Sequence, residues 1–326
     1  ADIVSLHTPL TDATPDISDA KAIKKMKDGV RIVNCARGGL VVEEDLKAAL
    51  ETGKVAGAAL DVLLEEPATD NPLFGMDNVV ITPHLGAATT EAQEKVAVQI
   101  AEQMADFLLT GAVANAINMA PVSAEEAPKL KPYMTLAEQL GSFAGQATQT
   151  AYKEITVEFE GEVAALNCKP LTAVALQGLL APLLEGVNMV NAPAIAAERN
   201  IRVREITSDG AGDYHTLITL NVTTEQQTRS ISGTLFNDEP RIVTIKGIHM
   251  DAKLGPNMLF VTNRDKPGLI GALGTLLGDA GVNIATFNLG RAEAGGDAIA
   301  LIEIDDPPSQ ELIDKVCCLE HVIMAK

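Results

Sequence analysis

The sequence predicts an α/β domain on a parallel sheet, then an α+β domain, then a small βαββαβ module. Three patterns predict it. Short β-branched runs alternate with amphipathic helices through 1–86, as parallel sheets with helices on both faces require. Apolar alternation marks a strand at 154–160, and four further segments up to 245 read as strands beside two helices. Two strand and helix sets fill 258–324 in a ferredoxin-like order.

The totals narrow the function. With 326 residues the chain has room for about two or three domains. A net charge of −19 without a long basic run speaks against nucleic acid or an acidic membrane as partner. Cys35, Cys168, Cys317 and Cys318 have neither metal-ligand spacing nor a disulfide framework, so no metal is expected and a reducing cytoplasm fits. The most apolar stretch, 163–197, is interrupted by Lys169, Pro170, Pro182 and Glu185 and is too broken to span a bilayer. No signal peptide opens the sequence. Ala1 stands where a methionine would begin, and 3–6 already reads as a buried strand. The expectation is an N-terminally incomplete chain that starts inside a domain.

In order, the strands of the first part are 3–6, 30–34, 57–62 and 78–81. A helix capped by Ser18 runs to Asp28 with Gly29 after it, and a second spans 43–52, closed by Gly53. In open parallel sheets ligands bind beyond the carboxyl ends of the strands. Those ends carry His7, Thr8 and Pro9; Cys35, Ala36 and Arg37; Asp61; and His84, with Gly86 and Ala87 following. A histidine side chain can give or take a proton near neutral pH. A carboxylate beside His84 would fix its ring tautomer; both Glu65 and Glu66 are in range. Arg37, before two glycines, can hold a carboxylate through paired hydrogen bonds. Asp61 could accept from a cofactor amide, or simply cap its strand.

Residues 87–122 hold a return helix and an exit segment. Thr90 with Gln93 can form a capping box, and Val96, Ile100, Met104 and Phe107 share a face up to Gly111. Residues 123–132 read as a charged, proline-bearing linker, followed by a helix over 133–149. A strand at 154–160, a helix at 172–184 and strands at 202–206, 215–222, 228–235 and 240–245 come next. The segment 247–250 closes that domain, so its limits are 123–250, and His249 reads as a turn or packing residue. The last module, 255–326, has strands at 258–263, 282–289, 298–304 and 321–324, with helices at 268–280 and 309–316. Asp265 leads into its first helix, where free N–H groups suit a carboxylate.

The segments H-T-P-L-T (7–11), N-C-A-R-G-G-L (34–40), A-L-D-V (59–62), E-E-P (65–67), N-P-L-F (71–74) and T-P-H-L-G-A (82–87) together resemble the D-isomer-specific 2-hydroxyacid dehydrogenases. The resemblance implies that 1–86 is the second half of a Rossmann-like, doubly wound NAD-binding domain. It further implies Arg37 on the substrate, Glu66 paired with His84, His84 as acid and base, and Asp61 near the nicotinamide. His7, Thr8, Pro9, Cys35, Ala36, Gly86 and Ala87 would line the cofactor. No G-x-G-x-x-G occurs in the chain, so it is expected to be inactive alone. V-N-A-P-A-I-A-A-E-R-N (190–200) resembles the intervening domain of the long-form D-3-phosphoglycerate dehydrogenases. Arg241 and Lys253 lie where some of those relatives bind an anion, but Ile248 occupies a place where those relatives can have arginine, and both are read as surface charges. N-x-D-x-P-G-L-I (263–270) and G-V-N-I (281–284) resemble the ACT domain. That resemblance implies an L-serine effector at Asn263, Asp265 and Asn283, and a homo-oligomer, dimer or tetramer, paired through ACT and nucleotide domains. The implied reaction is oxidation of 3-phosphoglycerate with NAD under serine feedback. The rival readings are a glyoxylate or hydroxypyruvate reductase, and a non-catalytic serine-binding and oligomerisation fragment.

Overall fold

The computed structural model describes residues 1–148, 150–210 and 212–326. It divides into two compact units, 1–102 and 103–326.

The first unit is a four-stranded parallel sheet, β1 (Ile3–Leu6), β2 (Val30–Asn34), β3 (Val55–Leu60) and β4 (Val79–Ile81), in that order. All four carboxyl ends therefore lie on one edge. Strand residues alternate between faces. Val4, Leu6, Val30, Ile32, Ala58 and Leu60 point into the core with α1 (Ala20–Lys25) and α2 (Glu43–Glu51). The two helices are linked by the Ala20 N–H, which donates to Asp45 Oδ2 at 2.7 Å. The opposite face, with Ile3, Arg31 and Val80, is exposed. Helices cover one face of this sheet rather than both, which is what one half of a doubly wound sheet provides.

Two caps differ from expectation. Asp19, not Ser18, caps α1, its carboxylate accepting from Ala22 N–H at 2.8 Å. Ser18 is instead buried in a bridge to Val41, and α1 stops at Lys25 because Met26 turns extended. Helix α3 (Thr90–Thr110) is capped by Thr89, whose hydroxyl accepts from Ala92 N–H, rather than by Thr90. No residue of α3 is buried, so its stripe of Val96, Ile100, Met104 and Phe107 faces solvent.

In the second unit, α4 (Ala127–Ala147) starts six residues before the expected 133. Ser123 and Glu126 form a reciprocal capping box. Pro128 falls in the first turn, where the amide is free anyway. Pro132 lies inside the helix and removes one amide donor. The expected end at Gln149 lies outside the described residues. Helix α5 (Cys168–Leu180) starts at an Asn167 cap, four residues before the expected 172. Between them runs β5 (Tyr152–Gly161), and α6 (Ala192–Glu198) follows. With β6 (Arg202–Ser208), β7 (Thr216–Thr224), β8 (Thr228–Phe236), β9 (Glu239–Ile245) and β10 (Ile248–Ala252), β5 makes a six-stranded sheet ordered β10-β9-β8-β7-β5-β6. The segment expected to end the domain is thus a strand, hairpinned to β9 through Lys246 and Gly247, both at positive φ.

The rest is β11 (Met258–Arg264), α7 (Leu269–Asp279), β12 (Ile284–Arg291), β13 (Asp297–Ile304), α8 (Gln310–Cys317) and β14 (Val322–Ala325), with sheet order β12-β13-β11-β14. One apolar core runs through both parts of this unit. Phe260 of β11 packs edge-on against Phe143 of α4, ring centres 5.0 Å apart.

Helices α4 and α5 touch backbone to backbone. A Cβ on Gly141 would sit 2.1 Å from Ala175 O, and one on Gly178 would sit 2.3 Å from Glu138 O. Gly141→Ala and Gly178→Ala should each destabilise the second unit by about 1–3 kcal/mol, the range for overpacking. Thermal unfolding of the two variants measures this; unchanged midpoints would contradict such close packing.

Candidate active site

Asp61 follows β3 and is buried. Its Oδ1 accepts from Thr82 Oγ1 at 2.5 Å and from Leu85 N–H at 2.7 Å, and its Oδ2 from Gly86 N–H at 2.9 Å. The Thr82 hydroxyl above all, and then the Leu85 amide, hold this carboxyl below the usual carboxylate range. Its backbone carbonyl also accepts from His84 N–H at 2.9 Å. Asp61 thereby clamps the turn that presents His84, a non-glycine residue at φ +57°.

His84 Nδ1 lies 2.6 Å from Glu66 Oε2. The other oxygen of Glu66 accepts from Leu63 N–H at 2.9 Å. These two bonds, His84's the larger, keep the Glu66 carboxyl below its ordinary range. An ionised carboxylate only accepts, so Nδ1 carries the proton. That leaves Nε2 to exchange a proton with a substrate. Between the two neighbouring acids, it is Glu66 that meets the imidazole.

Asn34, buried at the end of β2, folds the next loop. Its Nδ2 donates to Arg37 O at 2.9 Å and its Oδ1 accepts from Ala36 N–H at 3.1 Å. Arg37 is exposed, and its Nη1 donates to Ala36 O at 2.6 Å. Gly38 lets this loop press on the loop after β3, since a Cβ there would fall 1.8 Å from Leu63 O. Arg37 makes no hydrogen bond to His84 or Glu66; loop contact at Gly38 joins its segment to theirs. Glu43 fastens the same loop further on, accepting from Leu64 N–H at 2.8 Å and Asn71 Nδ2 at 2.7 Å. Asn34, Glu43, Asn71 and Thr82 are positioning residues that the sequence reading did not single out. Asn34, Asn71 and Thr82 open three of the recognised segments, which was the available signal.

The remaining strand-end residues sit on the same sheet edge. His7 Nε2 is 2.8 Å from Ser5 Oγ, and Thr8 Oγ1 is buried without a partner among the described residues. Cys35 is exposed. An orphaned hydroxyl at a strand end, next to an edge lined by Ala36, Arg37, Gly86 and Ala87, fits a ligand with hydrogen-bonding edges such as a nicotinamide carboxamide.

In the last module Asp265 Oδ2 accepts from Arg291 Nη1 and Gly295 N–H, both at 3.0 Å, the Gly295 amide contributing most to lowering its carboxyl. Gly268 begins α7 without a side-chain cap, so Asp265 is not the helix cap and the first α7 amides stay free. Asn283 Nδ2 donates to Asp305 Oδ2 at 2.8 Å. Asn263 is buried, with Nδ2 on Arg264 O and Oδ1 without a partner among the described residues. Arg241 lies beside Glu239 and Asp251, and Lys253 beside Glu239. Among the described residues no His, Cys, Asp and Glu group is placed to hold a metal, and no helix is long and apolar enough to cross a membrane.

Three family models match. Residues 1–86 match the D-isomer specific 2-hydroxyacid dehydrogenase NAD binding domain, 129–246 the D-3-phosphoglycerate dehydrogenase intervening domain, and 257–317 the ACT domain. The three matches follow one another along the chain in the order 1–86, 129–246 and 257–317. Among its relatives, the Synechocystis sp. D-3-phosphoglycerate dehydrogenase is 41% identical over 97% of this chain and 58% of its own length. The Bacillus subtilis D-3-phosphoglycerate dehydrogenase is 37% identical over 100% of this chain and 62% of its own. That of Methanocaldococcus jannaschii is 40% identical over 97% and 60%. The chain therefore spans about three-fifths of the length of these relatives.

Asp61→Asn should destabilise the first unit by at least about 2 kcal/mol at neutral pH, because hydrogen bonds to a charged acceptor are lost. A carboxyl lowered in the folded state stabilises fully above the ordinary carboxylate range and loses that contribution as pH falls through its folded value. The difference between wild type and Asp61→Asn should therefore hold from neutral to mildly acid pH and close only in strong acid. Denaturant unfolding across that range checks it; a difference independent of pH down to strong acid would contradict it.

Proposed function

We propose that this chain carries the acid–base machinery of an NAD-dependent D-3-phosphoglycerate dehydrogenase, oxidising 3-phospho-D-glycerate to 3-phosphooxypyruvate on the way to serine. The Glu66–His84 pair supports this most directly, since it leaves His84 Nε2 as the free proton-exchanging atom. When bound, NAD supplies the hydride acceptor. His84 takes the hydroxyl proton, and Glu66 holds the imidazole in one tautomer and offsets the charge it gains. Arg37 receives the substrate carboxylate, and Asp61 keeps the His84 turn in register while bordering the nicotinamide end. His7, Thr8, Pro9, Cys35, Ala36, Gly86 and Ala87 line the rest of the cofactor edge. The domain limits follow: 1–86 for the cofactor and catalysis, 87–122 as the return segment of a substrate lobe, 123–250 as the intervening domain and 255–326 as the regulator. L-serine would act as feedback effector, with Asn263 and Asp265 of one copy and Asn283 of a second forming its site in a homo-oligomer. The reaction would take place in the cytoplasm.

The test joins this chain to the N-terminal part of the Synechocystis relative and follows NAD reduction with 3-phospho-D-glycerate. His84→Asn should lower kcat by about 10²–10⁴ with KM little changed, the scale of one lost acid–base group. Arg37→Met should chiefly raise KM. Full activity in His84→Asn would overturn the assignment. This chain without that addition should show no turnover.

A further inference from the structure

In the second unit, α4, β8, β11 and the turn after β9 line a partly open cavity of about 20 Å³, with Phe143, Ala147, Arg229, Ser230, Lys246 and Phe260 in its wall. That volume holds one water-sized body. Two cations, Arg229 and Lys246, line it, and a third, Lys326, lies near Arg229. Arg229 Nη1 donates to Ala147 O, and Lys326 Nζ donates to Gln146 O at 2.7 Å. Both thus sit on the last carbonyls of α4, its negative end. Those bonds leave Arg229 Nε unserved: it is buried and without an acceptor among the described residues, as is Tyr152 Oη. Lys246 is held in place by its backbone, at φ 51° with its N–H on Ser230 O at 2.8 Å. Asp297, the acid that bears on Lys246, is already engaged by Arg264 at 2.5 Å.

Burial lowers the proton affinity of Arg229, Lys246 and Lys326, and Arg229 repels both lysines. The chain has 44 acidic residues against 25 basic ones, yet no carboxylate pairs with any of the three among the described residues. Uncompensated positive charge beside apolar walls is costly unless a counter-charge is bound. A space of this size suits a monatomic anion better than a phosphate or carboxylate ligand.

We propose that this cavity binds a monatomic anion of chloride size, held by Arg229 Nε and the Lys246 ammonium, with the Ser230 hydroxyl completing its shell. The ion ties the end of α4 and strand β11 to the β8–β9 ladder, and so the intervening domain to the ACT domain. The assignment stands independently of the catalytic reading.

The test uses the 326-residue chain and two probes. Crystals soaked in bromide should show an anomalous peak beside Arg229 Nε, and Arg229→Met crystals should not. In solution, chloride replacing gluconate at constant ionic strength should raise the unfolding midpoint by about 3 °C for each tenfold increase above the dissociation constant. Lys246→Met, on an exposed hairpin turn, should flatten that response and carries the test if Arg229→Met does not fold. Bromide peaks elsewhere but none here would mean a water in the cavity and end the proposal. An equal chloride response in wild type and Lys246→Met would also end it.

Discussion

The buried carboxylate of Asp61 is the constraint on which the strand-end edge around His84 depends. Burying a charged group is expensive, and here three donors from one short turn compensate it. The turn is thereby drawn against the end of β3 and His84 is held at positive φ, a conformation that costs about 1–2 kcal/mol for a residue with a Cβ. Without the clamp, nothing in the tripeptide around His84 would select that backbone. The three hydrogen bonds to Asp61 offset both the cost of the turn and the cost of the buried charge.

From that clamp the other contacts follow. Glu66 is fixed at both oxygens, by Leu63 N–H and by His84. Glu43 fixes the loop on which Glu66 rides, and the absence of a side chain at Gly38 lets the arginine loop approach it. His84 and Glu66 stay partly open to solvent, while the groups that place them are buried or doubly bonded. In the second unit the same economy appears in apolar form. Phe143 and Phe260 join α4 to the ACT-like sheet, so the last module shares a core with the domain before it.

Much of this was legible in the sequence, for local reasons. The β-branched runs at 3–6 and 30–34 are the observed strands to the residue, and the order of the ACT-like strands and helices is as expected. The Glu66–His84 pair follows from two recognised segments, although Glu65 and Glu66 could not be told apart without the loop's path. What stayed hidden is non-local. The bonds of Asp61 to residues 82–86 span more than 20 positions, and no spacing rule reaches that far. The prolines at 128 and 132 suggest a linker, whereas Ser123 and Glu126 already encode a helix start. Strand β10 hides behind Lys246-Gly247, a two-residue hairpin turn that resembles a domain end.

The central claim is that His84 offers Nε2 to the substrate because Glu66 holds its Nδ1 proton. Nitrogen-15 NMR of the imidazole tests it most directly. At a pH where the ring is neutral, the account predicts the Nδ1–H tautomer, with its proton shifted downfield and that shift lost in Glu66→Gln. A neutral ring found as the Nε2–H tautomer, indifferent to Glu66, would contradict it.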